Sequence, residues 1–363
     1  MKKILLATAL LACATPVIAQ PAAPAAPAAA GRGAQAPLQI PNPHYETVSV
    51  SVDVNASADA VWARVGKFCD TSSTDTLAGG CAYLSGNGEP GTVRSIANEV
   101  LVGTSKYSYT YAQAPRAGTL YNLYHGTMMV TPLGRATSQL NKTLFLDTSM
   151  LAAEARQTML ANIKTRFTQQ VQNLKILAEG GKLPAARPAA ATVTAAPPAP
   201  YQNPNPRYVA VPMQVEVNAP ADMVWSKIGH FCDIGKIGAV GFPTCMIVEG
   251  TDGEYGAVRS VGREVLVGKA SNSYTYAQQM RSPGFYALYH GTIEARAVTP
   301  TTSTLYWTLV YDNSTQPDDA AIARDIAGRR TRFLSMMAAV KTLAEGGTRP
   351  PDPAPQPAAG RGQ

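Results

Sequence analysis

Apolar and polar residues alternate along residues 45–54, YETVSVSVDV, with the period of a strand that buries one face. The period then changes. In SADAVWARVGKF, the residues Val61, Trp62, Val65 and Phe68 share one face of a helix, and further on Val224, Trp225, Ile228 and Phe231 do the same. From about Ala82 to Asp147 the chain breaks into strand-like segments, with GNGEPG, and later GTDGEYG, as turn chemistry between strands. A long amphipathic helix follows, striped by Met159, Ile163, Phe167, Val171, Leu174 and Ala178. Ile322, Ile326, Phe333, Met337, Val340 and Ala344 draw the same stripe near the end of the chain. EGG stops both helices, because glycine takes the left-handed cap conformation without a steric penalty. A strand, a short helix, several antiparallel strands and a long terminal helix predict an α+β domain. In it a curved antiparallel sheet wraps on the C-terminal helix, an arrangement that often leaves a cavity between the two.

The pattern is written twice. LYHGT occurs at 123–127 and 288–292, FCD at 68–70 and 231–233, and VRS at 93–95 and 258–260. EVLVG recurs at 99–103 and 264–268, SYTYAQ at 108–113 and 273–278, and LAEGG at 177–181 and 343–347. The offset moves only from 163 to 166, so the copies differ by small loop insertions. This predicts two tandem domains, residues 41–181 and 204–347. The Pro/Ala-rich stretches 20–40, 182–203 and 348–363 carry few bulky apolar residues and read as linkers and a disordered tail. The middle linker is long enough to let the two domains dock or stand apart.

Composition narrows the function classes. Of 363 residues, 45% are apolar and 15% charged, which suits two packed cores. The net charge of +7 includes Lys2 and Lys3, and the remaining cations form no basic stripe, so no nucleic-acid partner is expected. The dense run Arg324, Arg329, Arg330 and Arg332 reads as a solvated helix face. MKKILLATALLACATPVIAQ has the basic start, apolar run and small-residue end of a secretory signal over residues 1–19, with a lipoprotein anchor at Cys13 as the rival reading. No other stretch is long and apolar enough for a transmembrane span. A periplasmic or secreted protein is therefore expected. Export makes the remaining cysteines, one pair per copy, read as two local disulfides, Cys69–Cys81 and Cys232–Cys245. Each would contribute about 2–3 kcal/mol by closing its loop. No CxxC occurs and no His is placed to complete a zinc site, so neither a metal nor a redox role is expected.

In this order ADAVWARVGKF, CAYLSGNGEPGTVRSI, EVL, SYTYA and YHGTMMV, closed by the terminal helix, resemble the START-related helix-grip (SRPBCC) superfamily. The resemblance is to its polyketide cyclase/dehydrase-like branch, and it covers nearly all of each copy. It implies a hydrophobic-ligand pocket between sheet and long helix. In similar plant hormone receptors a Glu of the E.L strand and a Tyr of a later strand line that cavity. Carried over, these are Glu99 and Tyr124 in the first copy and Glu264 and Tyr289 in the second. Two departures stand out: a Cys-closed loop replaces the family's second helix and first hairpin tip, and Gly126 and Gly291 replace a polar residue, which opens space.

Strand alternation sets the candidate chemistry. If Tyr124 faces the cavity, His125 faces the other way, and a register slip of one residue would reverse this. His125 and His290 are candidate general acid/base groups if they face inward, and hydrogen-bonded sheet residues if they do not. Tyr109, Tyr111, Tyr274 and Tyr276 either pack a core or line the cavity with polar tips. Glu99 and Glu264, set among apolar neighbours, want a partner; Arg94 and Arg259 can supply one, or a ligand can. No nucleophile elbow, P-loop or dinucleotide fingerprint sits in a strand–turn–helix setting, so no cofactor is implied. The leading expectation is an exported protein that binds or carries a small apolar or amphipathic molecule. The alternatives are a cyclase/dehydratase-type enzyme using His125 with Glu99 and His290 with Glu264, and an envelope interaction module whose cavities are closed.

Overall fold

A computed structural model describes residues 40, 42–70, 80–114, 121, 123–183, 205–237, 245–279 and 288–348. The expected signal segment, most of the linkers and tail, and parts of both Cys-bearing loops lie outside the described residues. The first repeat runs β1 (Tyr45–Val54), α1 (Ala58–Val65), β2 (Tyr83–Ser85), β3 (Val93–Arg94), β4 (Glu99–Ser105), β5 (Ser108–Gln113), β6 (Tyr124–Pro132), β7 (Ser138–Asp147) and α2 (Ala153–Ala178). The second repeats it as β8 (Tyr208–Val217), α3 (Ala221–Ile228), β9 (Ile247–Glu249), β10 (Val258–Arg259), β11 (Glu264–Ala270), β12 (Ser273–Gln278), β13 (Tyr289–Ala297), β14 (Ser303–Asp312) and α4 (Asp319–Ala344). Each makes one seven-stranded antiparallel sheet, ordered β1-β7-β6-β5-β4-β3-β2 and β8-β14-β13-β12-β11-β10-β9. The fold is α+β, as the patterning predicts.

The first helix is shorter than its apolar spacing suggests. Ser57 caps it by accepting from the Ala60 amide, and it ends at Val65 where Gly66 donates back to the Trp62 carbonyl. Phe68 follows in a turn yet still packs into the core. Both long helices end as expected, with Gly180 and Gly346 at φ +86° and +85°. Both disulfides are present, Cys69–Cys81 and Cys232–Cys245. Among the described residues no helix is long and apolar enough to cross a membrane.

Each sheet has two buried faces. The inner face packs on the repeat's own helices, with Leu101, Met128, Leu140 and Leu144 meeting Phe167, Val171 and Leu174. The outer face packs on the other repeat: Val100, Val102 and Ala112 cluster with Leu288 and Val310, while Phe145 clusters with Val258, Val265, Val267 and Ala277. An antiparallel sheet commonly leaves one face to water; here near-continuous apolar runs such as EVLV mark strands covered on both sides. The sheet–sheet contacts come in swapped pairs, the signature of a twofold relation. A Cβ on Gly103 would collide with Thr292 Oγ1, and one on Gly268 would fall 2.6 Å from Thr110 Oγ1. The glycine that ends EVLVG in both copies thus lets the sheets close. Polar ties complete the joint: the Lys106 amide donates to Glu294 at 2.8 Å, and Gln279 Nε2 donates to Tyr45 Oη at 2.5 Å.

Candidate functional site

Strand alternation puts Glu99, Leu101, Tyr109, Tyr111, Gln113, Tyr124 and Gly126 on the inner face of the first sheet. Arg94, paired directly opposite Glu99 in register, donates from Nε to Glu99 Oε2 at 2.6 Å and also to the Phe68 carbonyl. Its guanidinium carbon lies 4.1 Å from the Phe68 ring centre and 4.7 Å from that of Tyr111. Gln113 Nε2 donates to the other Glu99 oxygen at 3.0 Å. The second repeat repeats the set: Arg259 Nε donates to Glu264 Oε2 at 2.6 Å and its Nη1 to the Phe231 carbonyl at 2.6 Å, with the Phe231 and Tyr276 rings at 4.4 and 4.7 Å. A carboxylate and a guanidinium buried together need this dense bonding, because desolvation otherwise outweighs their attraction. Burial pushes the Glu264 carboxyl upward, and Arg259 beside it opposes that shift.

Six strand tyrosines fall into three equivalent pairs. Tyr109 and Tyr274 sit under the first helix of each repeat, Tyr109 edge-on to Phe68 at 5.6 Å and near Trp62 at 6.0 Å, Tyr274 edge-on to Phe231 at 5.7 Å. Tyr111 and Tyr276 lie across Gly126 and Gly291, where any Cβ would collide with their rings. The room opened by those glycines is therefore taken by a phenol of the same chain. Tyr289 borders the space between sheet and α4, and Tyr121 packs on Tyr124 at 4.7 Å. Burial raises the Tyr111, Tyr124, Tyr276 and Tyr289 hydroxyls well above their usual range, with the adjacent glutamate adding to it, so all four stay neutral.

A cavity of about 450 Å³ remains in the second repeat between sheet and α4, lined by Glu264, Gln278, Tyr289, Asp325, Arg329, Arg332 and Phe333. That volume falls in the range of small-molecule pockets. Tyr311 Oη donates to Asp325 Oδ2 at 2.7 Å, and Arg329 Nε donates to the same carboxylate at 2.9 Å. The Arg329 guanidinium lies 4.4 Å over the Tyr311 ring. Burial pulls Arg329 down to about 10, so it stays charged at neutral pH. In the first repeat a hollow of about 760 Å³ runs along α2, where the described lining includes Met159, Ile163 and Arg166.

The histidines lie on the opposite face. His125 and His290 meet across the joint between the sheets, Nε2 to Nε2 at 2.6 Å, and both are buried. Neither Nδ1 has a hydrogen-bond partner among the described residues. A small cavity of about 60 Å³ between the repeats adjoins both rings. Burial lowers His125 to about 3; burial and the charge of His125 lower His290 well below its usual value. Both rings are thus neutral at pH 7, one Nε2–H donating to the other's lone pair. His125 does not meet Glu99, nor His290 Glu264; in each repeat the sheet stands between them. Of the residues singled out in the sequence, Glu264 and Tyr289 line the cavity of the second repeat.

Asp325, Arg329, Arg332 and Tyr311 were not legible as site residues, because the arginine run reads as solvated. Arg324, Arg330 and Arg332 are indeed exposed, but Arg329 turns to the sheet. One signal exists: Arg329 lies three residues after Ile326 and four before Phe333, on the apolar stripe, and four after Asp325. Among the described residues no cluster of His, Cys, Asp and Glu could hold a metal ion.

The fold and site define a helix-grip protein in tandem duplicate. The profile of the family described as polyketide cyclase / dehydrase and lipid transport matches residues 45–179, from the start of β1 to just past α2. The match spans the first repeat, and the second repeats the same strand order and motifs. No curated protein matches the chain. Among solved structures, the di-domain aromatase/cyclase BexL of the BE-7585A biosynthetic pathway is 14% identical, covering 84% of this chain and 100% of that one at a TM-score of 0.30. The Zhui aromatase/cyclase from Streptomyces sp. R1128 is 19% identical over 39% of this chain and 100% of its own, TM-score 0.28. Truncated norcoclaurine synthase from Thalictrum flavum is 16% identical over 39% and 97%, TM-score 0.30. These are likenesses only and say nothing of activity here.

Proposed function

We propose that this is an exported protein that binds or carries a small hydrophobic or amphipathic molecule between sheet and C-terminal helix. The observation that carries the reading is the cavity of about 450 Å³ under α4, edged by Glu264, Tyr289 and Arg329, with Val261 and Phe333 as apolar lining. Its polar groups are held by one another rather than poised for chemistry: Glu264 by Arg259, Asp325 by Tyr311 and Arg329. The cyclase/dehydratase alternative loses its proposed acid–base pairs, since each histidine lies across the sheet from its glutamate. The open cavity also argues against an interaction module with closed interiors. Two disulfides suit an oxidising compartment and support export. The test is mass spectrometry of small molecules extracted from the protein purified from its native envelope fraction. One recurring lipid-like or aromatic species supports a carrier; a blank from freshly purified, folded protein counts against it.

A further inference from the structure

The twofold relation between the repeats sets His125 against its own equivalent. The Nε2 atoms of His125 and His290 lie 2.6 Å apart, with the ring centres at 4.9 Å. That spacing is the contact plus the two ring radii, so the imidazoles meet tip to tip. One proton fits in such a contact. Of the four ring nitrogens the closed joint can therefore protonate three, whereas parted rings can protonate all four. At neutral pH the pair holds two, because burial keeps both rings uncharged. Ala112 and Phe145 flank His125 in register, and Ala277 and Val310 flank His290. The hollow beside the rings adds Tyr45, Tyr124, Tyr289 and Asp147 as titratable groups, and Tyr208 and Tyr255 border the apolar clusters of the joint. The phenols are neutral in acid. Asp147 accepts from the His44 amide at 2.8 Å and the Ser149 amide at 2.9 Å. Glu294, four residues along the same face of β13 as His290, is held by Arg296 and the Lys106 amide. Among the described residues no carboxylate bonds either imidazole.

We propose that this contact is an acid latch: proton uptake by His125 and His290 parts the outer faces of the two sheets while each repeat stays folded on its own helix. The latch is independent of the carrier reading. Parting is favoured over unfolding because each sheet is complete within its repeat, as are each inner core and each disulfide. The Pro/Ala-rich sequence 182–203 keeps the parted repeats in one chain. In the closed joint a second charge would set two imidazoliums tip to tip, with no counter-charge bonded to either. In the parted state each ring meets water and titrates near its ordinary value. Between pH 7 and 4.5, each histidine that takes up its proton only on opening shifts the opening equilibrium by about 80-fold. The contact geometry requires at least one such histidine, and a closed pair that stays neutral makes it two.

Small-angle X-ray scattering of the full chain between pH 7 and 4.5, read beside far-UV circular dichroism, tests this. The radius of gyration is expected to rise on acidification with the helix and strand signal unchanged. His125→Leu together with His290→Leu should abolish the rise, and this variant also controls for carboxylates that titrate at the acid end. Imidazole proton NMR of the unaltered protein gives a second reading: both rings should titrate together, at the pH where the radius rises. If the double variant does not fold, that coincidence decides alone. No expansion by pH 4.5, expansion accompanied by loss of secondary structure, or the same expansion in the folded double variant would each overturn the latch. So would rings that titrate without expansion.

Discussion

The two repeats keep one buried ion pair on adjacent strands and differ at another buried polar site. Arg94 with Glu99 and Arg259 with Glu264 keep the same geometry, down to the 2.6 Å bond and the two flanking aromatic rings. A deeper pair has been exchanged outright. Lys142 of the first repeat, hydrogen-bonded to Gln170 and 4.2 Å over the Phe167 ring, corresponds to Trp307 beside Met336, stacked edge-on to Phe333 at 4.8 Å. Both partners changed together, as a buried polar group requires: an amide without the ammonium, or the reverse, would be left unsatisfied.

The largest expected effect tests the shared frame. Arg259→Met leaves Glu264 buried without its counter-ion and should lower stability by about 3–5 kcal/mol in denaturant unfolding, with Arg94→Met costing a similar amount. A cost confined to one repeat would break the equivalence of the two frames.

A smaller effect comes from the His125–His290 contact, where the repeats touch through the same residue of each copy. His125 has its pKa lowered to about 3 in the folded protein, while an unfolded histidine titrates near its ordinary value. Stability from this site is therefore complete above about pH 6.5 and is lost as the pH falls toward 3, because the unfolded chain takes up the proton first. At pH 5 the loss is about 2 kcal/mol for His125, with His290 adding in the same direction. Replacing both histidines by leucine should flatten the acid limb of a melting-temperature profile; an unchanged limb would show that the pair does not govern it.

The smallest effect sharpens a difference between Leu146 and Tyr311, which hold the same place in register opposite Tyr124 and Tyr289. Tyr311→Phe removes the hydroxyl that donates to Asp325, a loss of about 1 kcal/mol by differential scanning calorimetry. Leu146 in the first repeat has no hydroxyl to lose, so a Leu146→Phe control should change stability through packing alone.

Much of the fold was legible. The alternation in YETVSVSVDV marks β1 residue for residue, and the stripes ending in EGG mark α2 and α4, because strand and helix periods are local properties of the chain. The same alternation separates Tyr124 from His125, and both arginine–glutamate pairs were available as neighbours on adjacent strands. The candidate site was legible only in part. Tyr109 and Tyr274 proved to be core aromatics, and Gly126 and Gly291 made room for a phenol instead of a ligand, since ring orientation depends on what packs from above.

By itself, then, the sequence determined a duplicated α+β unit, its element order, its cysteine pairing and which residues share a strand face. Only the tertiary structure decided that the two outer faces meet, and with that the meaning of LYHGT and EVLVG. His125 is buried against His290, and Gly103 and Gly268 lie under threonines of the opposite sheet. The reason is physical: a period of two assigns a residue to a face, but whether that face meets water, a helix or another sheet depends on surfaces brought together from residues more than a hundred positions apart.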